Sequence, residues 1–281
     1  MQTWLGLILG FVSALAVNWA YTREHDAAAA LPPLSARTPK RSVRLLLADR
    51  GWRLGFATES AGWLVYVAAL RLAPLALVQA VCASGIAVLA VVTAKGHPRR
   101  LPLHEQAAVV VALAGLVLLA VSLVGTEPTD HVPAADEAVV WLAACAGAAL
   151  ALTGAHALVS RAAALGLAAG ILFAGGDISA KLVVHGGWWL LALTPLVAYY
   201  AVGTSVLQGA FQRGSALTTA GMATLATNAV PIVAGFVLLQ EALPPGVRGA
   251  LQVAAFASLV VSATFLGHPG TDARRRVSGS A

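Results

Sequence analysis

The chain has 281 residues, of which 59% are hydrophobic and only 11% are charged. Because a soluble globular domain carries about 25% charged residues, this composition excludes an ordinary water-facing surface around a single core. The net charge of +6 does not indicate nucleic-acid binding, since the basic residues lie in short connections between apolar blocks, where membrane proteins carry their cytoplasmic charge. The only two cysteines, Cys82 and Cys145, fall inside apolar blocks and are interpreted as small buried hydrophobes.

The apolar blocks are predicted to be membrane-spanning helices. Each is long enough to cross a hydrocarbon core of about 30 Å, and none alternates polar and apolar residues as barrel strands do. The predicted spans are residues 3–21, 52–70, 74–94, 105–124, 138–158, 163–184, 188–208, 215–239 and 249–267. The sequence therefore predicts an all-α polytopic membrane protein of about nine transmembrane helices in one transmembrane domain, residues 1–281, with a disordered tail at 268–281.

The longest predicted connection, residues 22–51, contains Pro32-Pro33 and a basic run that includes Lys40, Arg41 and Arg44. Its segment 43–47 is interpreted as part of a short helix lying on the membrane surface. The first span has no positive residue ahead of it and Arg23 behind it. This favours a retained helix over a cleaved signal peptide, with the N-terminus outside.

The distribution of basic residues predicts the topology in the cell membrane. With the N-terminus outside, fifteen Lys and Arg residues fall on the cytoplasmic side and two, Arg71 and Arg248, fall outside. The external connection 125–137 carries four acidic residues and no basic one. This asymmetry predicts a multi-pass protein with a cytoplasmic C-terminus.

Short motifs recur in the same order in the two halves of the chain. They are Gly6–Gly10 with Gly166–Gly170, Gly51-Trp52 with Gly187-Trp188, Ala76-Leu77 with Ala216-Leu217, and Leu101-Pro102 with Leu243-Pro244. Residues 1–124 are thus predicted to repeat as 163–267, with span 138–158 unpaired. An odd linking helix turns the second copy over, and inverted repeats of this kind are typical of secondary transporters. The alternative is chance similarity among Ala, Leu and Gly-rich helices.

Glu59 is the first candidate for a coupling or substrate-binding group. It lies about 12 Å into its span at 1.5 Å per residue, and its own helix places no basic residue one turn away. A carboxyl group at that depth favours its neutral form, so it suits proton coupling or binding of a cationic substrate. The alternative is a protonated Glu59 that is hydrogen-bonded to a neighbouring helix.

Asp177 and Lys181 lie four residues apart on the predicted sixth span, hence on one face of the helix. One interpretation is an internal ion pair with Lys181 reaching the outer interface. The other is that Asp177 belongs to a transport site and Lys181 neutralises it.

Polar residues of the seventh and eighth spans complete the candidate set. Pro231 removes a backbone donor inside the eighth span and should free the carbonyl group near Thr227, beside Asn228. Pro195 is expected to have the same effect on the seventh span. Gln79 and Thr219, near the starts of the paired third and eighth spans, either line a cavity or bond across helices. Tyr66 is placed at the cavity or at a membrane interface.

The chain contains no nucleotide-binding motif, no zinc motif and no nucleophile beside a base. We therefore expect neither enzymatic activity nor a cofactor. The expected partners are a small-molecule or ion substrate and the lipid bilayer, not nucleic acid; the oligomeric state is open, with a homodimer as one alternative.

Three segments resemble the drug/metabolite transporter superfamily. They are Ala69–Gln79, Asn228–Pro231 followed by Glu241–Pro244, and Gly175–Lys181. The last segment and the nine-span arrangement resemble most closely the branch that includes the NIPA magnesium transporters. Two features depart from the pattern: most members have ten spans, and the first half has His104-Glu105 but no clear counterpart of Glu241.

The resemblance implies a secondary transporter that works by alternating access between two inverted halves. It also implies an alternative, a magnesium transporter in which Glu59 and Asp177 would be the metal ligands. A third alternative is a membrane scaffold or lipid-handling protein, which we would expect if Glu59, Asp177 and Asn228 faced lipid or were packed without a cavity. Since one fold carries many cargoes, the resemblance does not identify the substrate.

Overall fold

The structure is a computed structural model, and every regular element it describes is a helix. It describes residues 2–34, 38–70, 72, 78, 81–82, 85, 89–90, 92, 102–123, 133–154, 160–184, 186–238 and 246–267. The α-helices are α1 Gln2–Ala30, α2 Pro39–Ala48, α3 Arg50–Leu70, α4 Leu103–Leu123, α5 Ala135–Gly154, α6 Arg161–Val184, α7 Leu193–Phe211, α8 Ala216–Val237 and α9 Val247–Gly267, and a 3-10 helix, Gly187–Ala192, precedes α7.

Four segments of the described chain are long and apolar enough to cross a membrane. They are Trp4–Ala30, Ala135–Gly154, Arg161–Val183 and Gly187–Phe211. The prediction of an all-α, membrane-embedded chain is thereby confirmed at this level. Helices α3, α4, α8 and α9 coincide with four further predicted spans, while most of the span predicted at 74–94 and the tail 268–281 lie outside the described residues. The count of nine spans stays a prediction.

Apolar side chains face outward and polar ones face inward. Val140 is 68% exposed and Leu150 is 74% exposed on α5, whereas Glu24, Gln208 and Gln252 are at most 1% exposed. Water would penalise such an arrangement, but a lipid solvent favours it because side chains that can hydrogen-bond gain by meeting each other inside the bundle.

Helix α1 continues beyond the predicted end of its span at residue 21. The Ala-rich run 27–30 consists of the best helix former and keeps the backbone helical to Ala30. Residues 22–30 were therefore wrongly predicted as part of a connection. The predicted short helix is present as α2, which starts with Pro39 at its first position and exposes Val43 and Leu47. Its position on the membrane surface stays a prediction.

Helix α6 is packed on three sides, by α5, α7 and α8. Two glycines bring α6 and α8 together, because a Cβ atom at Gly166 would lie 2.4 Å from the Thr219 carbonyl oxygen, and one at Gly170 would lie 2.3 Å from that of Ala223. Only a residue without a side chain allows backbones to approach so closely. The predicted glycine spacing thus positions the helix that carries Asp177.

Helices α1 and α7 meet where both of them end. His25 Nε2 lies 2.9 Å from the Gly214 carbonyl oxygen, and the Gln212 amide donates to the carbonyl group of Ala28 at 2.9 Å. The Tyr21 and Phe211 rings pack edge to face at 6.4 Å. The C-terminal ends of α1 and α7 are therefore joined by polar and aromatic contacts.

The two helix prolines occupy different positions in their helices. Pro231 lies inside α8, as predicted, and cannot donate to the carbonyl group of Thr227. Pro195 is the third residue of α7, within the first turn, where backbone N–H groups have no partner in the helix. The 3-10 helix Gly187–Ala192 changes into α7 two residues before Pro195, and the release of a carbonyl group by Pro195 stays a prediction.

Candidate substrate and ion-binding cavity

A cavity of about 860 Å³ lies between α1, α2, α3, α6, α7 and α8. Its lining includes Glu59 from α3, Asp177 from α6 and Asn228 from α8, together with Tyr66 from α3. Side chains that are far apart in the sequence thus converge on one space, most of whose other lining residues are apolar. The volume is in the range of small-molecule sites.

Asp177 is held by Tyr200 across the α6–α7 contact. The Tyr200 hydroxyl donates a hydrogen bond of 2.5 Å to Asp177 Oδ1. The preceding residue, Gly176, makes room for it, because a Cβ atom there would lie 2.7 Å from the Tyr200 ring. The Gly-Gly segment of α6 therefore brings a phenol onto the carboxyl group next to it.

Aromatic rings surround this hydrogen bond. The Tyr200 ring lies 6.2 Å from that of Trp63, edge to face, and 5.7 Å from that of Phe173. Tyr66 lies within electrostatic range of Asp177. Asp177 therefore presents a carboxyl group at the wall of an aromatic enclosure, which suits a cationic or hydrogen-bond-donating group of a substrate.

Glu59, which is half-buried, is paired with a fully buried carboxyl group, that of Glu24 on α1. The two carboxyl groups are close enough to interact electrostatically, and the Tyr21 hydroxyl interacts with Glu59. Gln208 Nε2 on α7 donates to Glu24 Oε2 at 2.5 Å. The pair thus connects three helices and lies partly behind the cavity wall, since Glu24 is fully buried.

Glu24 was missed because the predicted span ended before it. The candidate set taken from the sequence therefore lacked one carboxyl group that is buried inside the helix bundle. Two features of the sequence point to Glu24: the helix-forming Ala run after it, and the spacing of Tyr21, Glu24 and Ala28, which places all three residues on one helix face.

Asn228 and Thr227 bring polar groups of α8 to the cavity. Asn228 Nδ2 donates to the Thr224 carbonyl oxygen at 2.7 Å in its own helix, and Thr227 Oγ1 donates to that of Gly170 at 3.3 Å. Since Pro231 supplies no N–H, the Thr227 carbonyl oxygen is released from the usual helical hydrogen bond. The predicted polar interruption of α8 is thus beside the cavity.

The remaining candidates lie elsewhere or outside the described residues. Lys181 is exposed and is not part of the cavity lining, whereas the hydrogen bond to Asp177 comes from Tyr200. Thr219 is fully buried against Gly166 and donates to the Ser215 carbonyl oxygen at 2.9 Å, which makes it a packing residue. Gln79 and Glu241 fall outside the described residues.

Within the described ranges, no group of three or more His, Cys, Asp or Glu side chains is arranged to hold a metal ion. The Glu24–Glu59 pair supplies two carboxyl groups, and Asp177 is attached to a different pair of helices.

We compared the chain with protein-family models, with curated proteins and with solved structures, and nothing matches in any of the three.

Proposed function

We propose that this protein is a secondary transporter that moves a small molecule or ion across the cell membrane by alternating access. The observation that supports this most directly is the convergence of Glu59, Asp177 and Asn228 on one cavity inside a helix bundle. Carboxyl and amide groups are costly inside a membrane and are retained there where they bind or couple. In this proposal Asp177 contacts cargo, and the ion gradient supplies the free energy.

An inverted repeat is part of the proposal, and the directions of the helices support it. Helix α6 begins beside the C-terminal ends of α1 and α7, because Gly214 lies next to both His25 of α1 and Ala162 of α6. Helix α3 also begins there, with Trp52 packed against Ala27. The first and second helices of one half thus run opposite to their counterparts in the other.

The last helices of the two halves support the same relationship. The Ser262 hydroxyl, near the end of α9, donates to the Ala108 carbonyl oxygen, near the start of α4, at 2.8 Å. Helices α4 and α9 therefore pack in opposite directions, as a two-fold axis in the membrane plane requires. Together with the motifs of the sequence, this favours membership in the drug/metabolite transporter superfamily, with the N-terminus outside and the C-terminus in the cytoplasm.

Two alternatives are less well supported. A magnesium transporter draws on the family resemblance, but Mg²⁺ requires six closely placed ligands and loses its water reluctantly, and the described carboxyl groups lie in two separate places. A scaffold or lipid-handling protein would not need a cavity lined by three polar groups from three helices.

The experiment is an uptake screen in proteoliposomes. Radiolabelled amino acids, organic cations and Mg²⁺ are tested one at a time, each with and without an imposed pH gradient. We expect at least one compound to accumulate with the gradient, and Asp177→Asn to abolish its uptake. Ser258→Ala, in the middle of α9 and not in the cavity lining, should retain it. Uptake no greater than in empty liposomes for every compound would contradict the proposal.

A further inference from the structure

The carboxyl pair Glu24–Glu59 contains more hydrogen-bond acceptors than donors. Within the described part of the chain, no donor reaches Glu24 Oε1 or Gln208 Oε1, and both atoms are buried. The Gln208 amide donates to Glu24, and the Tyr21 hydroxyl is the neighbouring group that interacts with Glu59. An acceptor-rich cluster of this kind needs a proton or a cation to be stable in a low-dielectric interior.

Coulomb repulsion sets how many protons the pair holds. Two adjacent carboxylates, of which Glu24 is fully buried, repel each other strongly, so one proton is retained between them. Mg²⁺ is a poorer occupant, because it requires near-octahedral coordination by about six oxygen ligands, and two carboxyl groups and one amide oxygen are available. One shared proton also supplies the donor that Glu24 Oε1 lacks.

Among the described residues, the charged groups around the pair do not offer another counterion, and Arg23 of α1 and Arg50 and Arg53 of α3 are exposed. From α1 the neighbours are Tyr21 and His25, and His25 is bonded to Asp26 and to the Gly214 carbonyl oxygen. From α6 and α7 they are Asp177 and Tyr200, which bond each other. The described residues of α8 include no titratable side chain, and the basic residues of α2 are exposed.

We propose that Glu24 and Glu59 form a proton-binding site, separate from the Asp177–Tyr200 site, whose occupancy controls the contact between α1 and α7. Helix α1 is held tightly to α3, because Cβ atoms at Gly55 and Gly62 would lie 2.7 Å and 2.9 Å from α1 side chains. Beside Glu24, the contact between α1 and α7 depends on the Gln208–Glu24 hydrogen bond. When the proton leaves, two negative charges draw water to the pair, and the α1–α7 contact is the one that opens.

The role of this site in coupling rests on the proposed transport function, but proton binding itself does not. The test therefore measures a distance within the protein and needs no transport substrate. Spin labels are attached at Ala29→Cys on α1 and Arg213→Cys after α7, both exposed positions, with Cys82→Ser and Cys145→Ala as background. The distance distribution is measured from about pH 4 to about pH 9 in sodium-free and magnesium-free buffer.

We expect the distance to lengthen as the pH rises. Glu24→Gln and Glu59→Gln should each lose this shift and keep the short distance at every pH, because a neutral amide replaces the protonated carboxyl group. Asp177→Asn should retain the shift. Thermal melting and gel filtration show whether each variant is folded, and Glu24→Asp, which still titrates, should shift if Glu24→Gln does not fold.

A distance that does not change with pH would overturn the proposal, as would a shift that Asp177→Asn abolishes and Glu24→Gln retains. A shift produced by adding Na⁺ or Mg²⁺ at constant pH, without any response to pH, would replace the proton by a metal cation and would also overturn it. If uptake fails for every compound while the pH-dependent shift is present, the transport proposal fails and the proton site stands.

Discussion

Tyr200 on α7 donates a hydrogen bond of 2.5 Å to Asp177 on α6, and its neighbour Tyr199 donates to the carbonyl group of Leu142 on α5. Two consecutive phenols thus hold α7 to two different helices. Each of them lies on a glycine, Gly175 under Tyr199 and Gly176 under Tyr200.

The two tyrosines should differ in what they contribute to stability. Tyr200→Phe removes a bond to a carboxyl group and should lower the free energy of unfolding by about 1.5–3 kcal/mol, the range for hydrogen bonds to charged partners. Tyr199→Phe removes a bond to a neutral carbonyl group and should cost about 1 kcal/mol. Denaturation in detergent measures both variants. A greater loss for Tyr199→Phe would show that the bond to Asp177 is not the stronger of the two.

Gly170→Ala should separate α6 from α8. The added Cβ atom would lie 2.3 Å from the backbone oxygen of Ala223, which cannot rotate away. Overpacking usually costs about 1–3 kcal/mol. We expect Gly170→Ala to lower the free energy of unfolding by more than about 3 kcal/mol, or not to fold. Gly147→Ala in α5 is the matched control. Nothing lies within 4 Å of its new Cβ atom, and the change should be neutral or stabilise the helix by up to about 1 kcal/mol. Equal melting temperatures for the two variants would show that the glycine contact is not close.

Ser215 should contribute as the N-cap of α8. Its hydroxyl accepts a hydrogen bond from the Thr218 backbone N–H at 3.1 Å, and Ser215→Ala should therefore cost about 0.5–2 kcal/mol. Ser258→Ala, whose hydroxyl donates to a carbonyl group within α9, should change stability by no more than about 0.5 kcal/mol. Thermal unfolding of the two alanine variants makes the comparison, and a larger effect at Ser258 would rule out the cap as the reason.

The predicted topology places Asp136 outside and Arg44 in the cytoplasm. Both residues are exposed in the structure, one in the first turn of α5 and the other in α2. Asp136→Cys and Arg44→Cys, each in a background without Cys82 and Cys145, should react with a membrane-impermeant maleimide from opposite sides of the cell membrane. If intact cells are labelled at both positions, the orientation derived from the basic residues is wrong.

The sequence by itself determined where helices form. Blocks of apolar residues predicted α3 to α9 within a few residues, because in lipid every backbone group must bond within its own segment. The sequence also identified Glu59, Asp177 and Asn228 as candidate site residues, because a polar residue inside an apolar block can be recognised without knowledge of the fold.

Only the tertiary structure decided what these groups face. Glu24 follows a predicted span and looks like part of a connection, yet packing against Gly55 buries it beside Glu59. Lys181 lies one turn from Asp177 in the sequence, but the hydrogen bond comes from Tyr200, which is twenty-three residues away. The sequence of one helix predicts how deep a side chain lies in the membrane and which face of the helix carries it. Its partner is set by which helices approach closely, and that depends on the contacts of residues far apart in the chain.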